Sequence, residues 1–322
     1  MDSVNNIIRS VYRGSDTGID KLNILTMCNN DEKYIALLCK TKHNFYILPQ
    51  QPWNNLIEPK PPNLQTITSP IEPLDYIICY NRAEQYEEAF KVATQLHVPI
   101  ILVDMCSKNM IRPNTILEQF KTIDPDSLQR QVVLQVFSNS HIQKSWGNSQ
   151  MSIVIPIGID PNKYHNSHIL EDDCSIAIDN NTPNIVGQQV QQQLKQYRTI
   201  PTDHNNLSDI AVNQSKYFIN TYKTITIKTL EAMCAGNVVI CFKNTDTENL
   251  ISHQETGMLI NSMEELPEVI DLLEKSKTLR IHIAEQARAK IIAEHSEDVF
   301  INQWQSAFNM IRSTFYTPVP IM

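Results

Sequence analysis

The stretch from Ser215 to Ser262 constrains the fold more than any other part of the chain: SKYFINTYKTITIKTLEAMCAGNVVICFKNTDTENLISHQETGMLINS. KYFINTY (216–222) is short and rich in β-branched and aromatic residues, the composition of a buried strand. Thr226 to Ala235 then carries Ile227, Leu230, Met233 and Cys234 at helical spacing, and Gly236 stands where a left-handed residue ends a helix. VVICF (238–242) reads as a second buried strand, and NTDTENLI opens a short helix with Thr or Asp ahead of Glu248. A loop holding Gly257 leads to a third strand, MLI (258–260). Strand, helix, strand, helix, strand at this spacing means parallel strands joined by helical crossovers, and a ligand site at the carboxyl ends of those strands.

That places the first candidate site at Tyr222 to Thr226, a loop running into a helix N-terminus whose free N–H groups and dipole favour an anion such as phosphate. Thr224, Ile225 and Thr226 line this loop; the two threonines offer hydroxyl donors, and Lys223 and Lys228 offer positive charge. Glu231 lies about one turn inside the helix, on the side of the loop, where a carboxylate suits the vicinal hydroxyls of a ribose. The plainer alternative is that the threonines cap the helix and Glu231 is a solvated helical glutamate.

The rest of the chain repeats the alternation. LNILTM (22–27), HNFYIL (43–48), DYIICY (75–80), VPIILVD (98–104), LQVFSN (134–139) and SIVIP (152–156) read as strands, with helical segments after Asp31, over Arg82 to Leu96, over 110–131 in pieces broken by Pro113 and Pro125, and at SHIQKSWG. The proline-rich segment 49–73 is expected to be a long surface loop, since proline breaks regular helix. GIDPNKYHNSH (158–168) interrupts the periodicity, which puts a domain boundary between Tyr164 and Glu171. A second set follows: CSIAID (174–179), a Gln-rich helix, YRTIPT (197–202), the stretch above, and three helices over 265–276, 277–294 and 296–315. The expectation is an α/β chain of two doubly wound parallel-sheet, Rossmann-like domains facing a cleft. Their spans are 1–165 and 166–296, and a last helix (297–322) packs back on the first. Candidates on the first domain, all just after predicted strands, are Asn29, Asn30, Asp31, Asn81, Arg82 and Asp104.

At 322 residues two domains are the natural division. A net charge of −8 argues against a chain that holds nucleic acid or an anionic membrane by its charge. Seven cysteines without a CxxC pair, several inside apolar strand candidates, read as reduced core thiols, and no metal-ligand spacing appears. No signal-peptide run and no membrane-length apolar stretch is present, so a cytoplasmic protein is expected. Seven glycines are few for this length, which gives weight to Gly158, Gly236 and Gly257 at element ends.

The order VFSNSHIQKSW, IVIPIGIDPNKY, KTLEAMCAGNVVICF, TENLISHQETGMLI resembles retaining glycosyltransferases of the GT-B fold, family 4, over roughly residues 134–310. The resemblance implies that Glu231 holds the donor ribose hydroxyls, that Gly158 is the turn glycine leaving the first domain, and that Thr224 and Thr226 stand where the family has the two glycines of its donor loop. It implies a nucleotide-sugar donor, no metal and no other cofactor, a glycan, protein or small-molecule acceptor, and Asp104, at a position where many members carry a histidine, as a group to position an acceptor hydroxyl. An Asp at a strand end also serves commonly as a turn or cap residue. The departures are specific. The family's first glutamate is here Lys223, and its Arg and Lys diphosphate clamp falls on Asn181 and Val186, so Lys223, Lys228 or Arg198 would have to supply the charge that a diphosphate leaving group needs. Two other readings share the fold: a binding or scaffold protein that has lost catalysis, and a transferase acting on modified DNA bases, against which the acidic balance weighs. A dehydrogenase is disfavoured because no GxGxxG follows any predicted strand.

Overall fold

The structure is a computed structural model and describes residues 21–28, 31–67, 74–81, 83–105, 131–147, 151–165, 174–179, 185–202, 211–222 and 224–315. The chain divides into two compact units, one of Met1–Pro156 with Phe300–Met322, the other of Ile157–Val299.

The first unit is built on β1 (Asn23–Met27), α1 (Glu32–Cys39), β2 (Asn44–Ile47), β3 (Leu64–Thr66), β4 (Tyr76–Tyr80), α2 (Ala83–Leu96), β5 (Ile100–Asp104), β6 (Val132–Phe137), α3 (Ser140–Trp146) and β7 (Ser152–Val154). Its sheet runs β3-β2-β1-β4-β5-β6-β7 with every pairing parallel. β1 and β4 are buried along their whole length, as near-continuous apolar strands covered on both faces must be. Strand order reverses between β1 and β4, so the carboxyl ends of those strands diverge and leave room there. The proline-rich segment is not all loop: Leu64–Thr66 adds β3 at the sheet edge, where three residues pair with β2 without demanding a longer pattern. The helical pieces expected over 110–131 fall, but for Gln131, outside the described residues.

The second unit comprises β8 (Ser175–Asp179), α4 (Ile185–Gln193), β9 (Arg198–Thr202), β10 (Tyr217–Asn220), α5 (Ile227–Ala235), β11 (Val238–Phe242), α6 (Thr245–Leu250), β12 (Met258–Ile260), α7 (Leu266–Lys275) and α8 (Lys277–His295). The sheet order is β12-β11-β10-β8-β9, again all parallel, and the reversal falls between β8 and β10. Gly236 ends α5 at φ +88°, a left-handed conformation that residues with a Cβ adopt only at a cost. At Gly257 the constraint is space instead: a Cβ would lie 2.8 Å from Ile251 Cγ2 and 3.0 Å from the Val239 carbonyl. α6 is capped by Asn244, not by Thr or Asp as expected, because Asn244 and Thr247 form a reciprocal capping box. At the amino end of β10, Lys216 is fully buried and pairs with Glu274 at 3.2 Å, a carboxylate that also accepts from the Tyr217 hydroxyl.

Ile157 to Tyr164, given to the first domain by the sequence, belongs to the second unit, because Ile159 and Tyr164 are buried in its core and Ile159 bridges to Ser296. The last helix, α9 (Glu297–Phe315), puts Phe300, Trp304, Ala307, Phe308 and Ile311 into the core of the first unit beside Leu22, Tyr34 and Phe45. Phe300 meets Tyr34 edge-on at 5.4 Å, and Phe308 meets His43 at 5.1 Å.

Candidate functional site

In the second unit the loop after β10 is shaped by its own side chains. Asn220, the last residue of the strand, donates from Nδ2 to the Thr224 carbonyl at 2.8 Å and accepts from the Tyr222 N–H at 2.9 Å, which folds the loop back over the strand end. Thr226 caps α5: its Oγ1 accepts from the Thr229 N–H and donates to Asp179 Oδ2 at 2.9 Å. Asp179 ends β8, across the reversal in strand order, and is fully buried. Its backbone carbonyl accepts from the Thr221 hydroxyl at 2.6 Å, and its Oδ1 lies 3.5 Å from Lys228 Nζ. Two strand ends and one helix start are thereby tied together at the place where a doubly wound sheet opens.

Glu231 sits one turn further along α5 with 1% of its surface exposed, so it is not a solvated helical glutamate. Its Oε1 accepts from the Tyr164 hydroxyl at 2.6 Å. Tyr164 is itself held through its carbonyl, which accepts from Arg288 at 2.8 Å, and the same guanidinium reaches the Cys234 and Pro161 carbonyls. Arg288, on α8, thus fastens the 161–164 turn to the end of α5 and fixes where the phenol points.

In the first unit the residues after the strands form a second polar group. Asp104, the last residue of β5, is 3% exposed; it accepts from Asn81 Nδ2 and from Gln135 Nε2, each at 2.6 Å. Its carboxylate thus ties the end of β5 to the residue after β4 and to β6. Burial pushes its carboxyl up to about 6, against the pull of the two amide donors, so it can hold or release a proton near neutral pH. Asp31 caps α1 by accepting from the Tyr34 N–H, and its other oxygen accepts from the Tyr80 hydroxyl at 2.7 Å. Burial, reinforced by the neighbouring Asp31, holds the Tyr80 phenol well above its ordinary range.

The structure brings Thr224, Ile225, Thr226, Lys228 and Glu231 together on one loop and helix, and Asn81 and Asp104 into one hydrogen-bonded pair. The Thr226 hydroxyl and the Lys228 ammonium, expected to face a ligand, are directed instead at Asp179, since a buried carboxylate at the helix start draws the nearest donors. Ile225 packs against the unit's core. Lys223, Asn181, Asn30 and Arg82 lie outside the described residues. Asp179, Tyr164, Gln135 and Arg288 were not singled out from sequence; the position of Asp179 at the end of the strand beside the reversal was the signal that could have found it.

Residues 184–306 match the model of a family described as glycosyl transferase-like. Comparison with curated proteins finds no match. Among solved structures, HepE from Anabaena in complex with UDP-glucose superposes with a TM-score of 0.70 at 14% identity, covering 90% of this chain and 99% of that one. A sucrose-phosphate synthase from Thermosynechococcus elongatus gives 0.66 at 10% identity over 91% of this chain and 100% of that one. A glycosyltransferase from Rickettsia africae gives 0.65 at 11% over 93% and 100%. The chain therefore has the fold of the GT-B glycosyltransferases, and its residues 184–306 match a glycosyl transferase-like family model.

Proposed function

We propose that this protein is a glycosyltransferase that moves a sugar from a nucleotide-sugar donor to an acceptor hydroxyl. One observation carries the reading. Glu231, the residue the family resemblance assigns to the donor ribose, is buried and pinned by Tyr164 one turn inside a helix whose start lies at the strand reversal of the matched region. That helix start favours the diphosphate, and the carboxylate favours the ribose hydroxyls. The neighbours bound to UDP and UDP-glucose support a nucleotide-sugar as the donor.

In this reading the reaction retains configuration and uses no metal. The bond between the anomeric carbon and the diphosphate oxygen breaks, the acceptor oxygen bonds to the same face, and the acceptor proton passes to the departing phosphate. Asp104 is the group of the first unit suited to orient the acceptor, since its carboxyl titrates near neutrality. The acceptor is a glycan, a protein or a small molecule. The buried free thiols support a reducing compartment such as the cytoplasm.

The test is isothermal titration with nucleoside diphosphates and nucleotide sugars. Binding that Glu231→Ala weakens at least tenfold is expected; a panel without binding, or binding indifferent to that substitution, ends the reading. The pairing of Lys228 with Asp179 favours a second reading, a GT-B-fold binding protein without turnover. Donor hydrolysis or transfer that disappears in Glu231→Ala decides against it.

A further inference from the structure

We propose that Tyr164 is a positioning residue for nucleotide selection: it fixes the orientation in which Glu231 presents its carboxylate, and thereby sets how strongly the site prefers a nucleotide with vicinal ribose hydroxyls to one without them. The inference rests on the reading of Glu231 as the ribose carboxylate. It adds a residue that lies outside α5 and the loop before it, far away in the chain.

The need for such a residue follows from the glutamate itself. Two neighbouring hydroxyls of one ring can donate together to a carboxylate only where its plane is held, yet a run of torsions separates that plane from the backbone and the last of them is broad. Tyr164 supplies the hold. Its hydroxyl donates to Glu231 Oε1 at 2.6 Å, in the short range of an O–H donor meeting an ionised carboxylate. Both side chains are buried, so water does not compete for the bond. A carboxylate offers about four acceptor positions, of which the phenol takes one, and the bond therefore orients the group without saturating it.

A positioning residue must itself be fixed, and the backbone around Tyr164 is tied from two directions. Arg288 donates to the Tyr164 carbonyl at 2.8 Å, while Asn213 donates to the Lys163 carbonyl at 3.2 Å and accepts from the His165 N–H at 2.9 Å. The ring lies in the core of the second unit. Arg288 also donates to the Cys234 carbonyl, so the 161–164 turn meets α5 at two points about one helical turn apart, through a side chain at Glu231 and through main chain at Cys234. That double attachment transmits the placement of the turn to the carboxylate. A phenylalanine at this position would fill the same space in the core. What it would lack is the hydroxyl, the atom that meets Glu231.

Calorimetric titration of the full chain with UDP, GDP and ADP, each beside its 2′,3′-dideoxy counterpart, reads the contact as a ratio of two affinities. For at least one pair the parent should prefer the ribonucleotide by roughly tenfold or more, since a site built to bind a hydroxyl rejects the analogue without it. Tyr164→Phe should cut that ratio at least threefold by weakening the ribonucleotide, with the dideoxy nucleotide held within twofold of its parent affinity. A tyrosine that only braced the turn would weaken both alike, and that result overturns the proposal. Added to Glu231→Ala, Tyr164→Phe should leave the ratio where Glu231→Ala alone puts it; a further fall means that Tyr164 does not act through Glu231. If Tyr164→Phe does not fold, Arg288→Lys replaces it, because an ammonium lacks the fork that spans the three carbonyls, and the ratio should fall in the same way. A ratio that Glu231→Ala abolishes and the Tyr164 variant leaves intact overturns this proposal and spares the donor reading. A parent that binds no nucleotide, or binds each pair equally, overturns both.

Discussion

Asp104 and Asp179 occupy equivalent places, each the buried last residue of an inner strand of a parallel sheet, yet their surroundings differ in kind. Asp104 is met by two neutral amides, from Asn81 and Gln135. Asp179 is met by the Lys228 ammonium and the Thr226 hydroxyl. Amide donors leave the cost of burying a charge largely uncompensated, so Asp104 keeps its proton up to about 6. An ammonium partner compensates the charge directly, at the expense of using up a lysine that a phosphate would otherwise attract. The contrast separates an acid able to exchange a proton from an acid that holds two elements together.

Three experiments would break or sharpen this contrast. The largest effect is expected at Asp179. Asp179→Ala strips the buried Lys228 of that carboxylate and removes the acceptor of the Thr226 hydroxyl, and should lower unfolding free energy by about 3–5 kcal/mol in urea titration. A loss below about 1 kcal/mol would mean the pair is not structural.

At Asp104 the expectation concerns pH. The folded carboxyl titrates at about 6, above its ordinary value of 3.8, so the native state binds this proton more tightly than the unfolded chain does. Its stabilising contribution is complete below 3.8 and is lost as pH rises from there through 6, by up to about 3 kcal/mol. The difference in stability between parent and Asp104→Asn, followed from pH 4 to 7, should therefore trace this loss. A flat difference would mean that Asp104 does not exchange a proton in this range.

The smallest effect is at Thr226. Thr226→Ala removes the cap of α5 and one bond to Asp179, a cost of about 1 kcal/mol, and Thr226→Ser should restore most of it. If Ser does not restore it, the methyl group and not the hydroxyl is what matters there.

Much of the fold was legible because its signals are local. The apolar runs 76–80, 100–104 and 238–242 could be nothing but buried strands, and Gly236 announced the end of α5. β3 was hidden by the prolines around it, and three residues at a sheet edge leave no periodicity to read. The candidate site was half legible. Glu231 and Thr226 follow from the helix they begin, but Tyr164 is 67 residues from Glu231 and Asp179 is 47 from Thr226, and nothing in either local sequence marks its partner. Lys228 misled for the same reason: a lysine near a helix start reads as available charge until the acid facing it, from a different strand, is known.

The aromatic stripe of α9 has a consequence for how this chain comes off the ribosome. Trp304 and Phe308 complete a core whose other members, from Leu22 to Ile155, are synthesised far earlier. The later-made unit can close as soon as Val299 has emerged, whereas the earlier-made one must wait, its apolar interior open, until its final helix arrives. Birth order and order of completion are inverted, and the waiting half is where a chaperone would find something to hold.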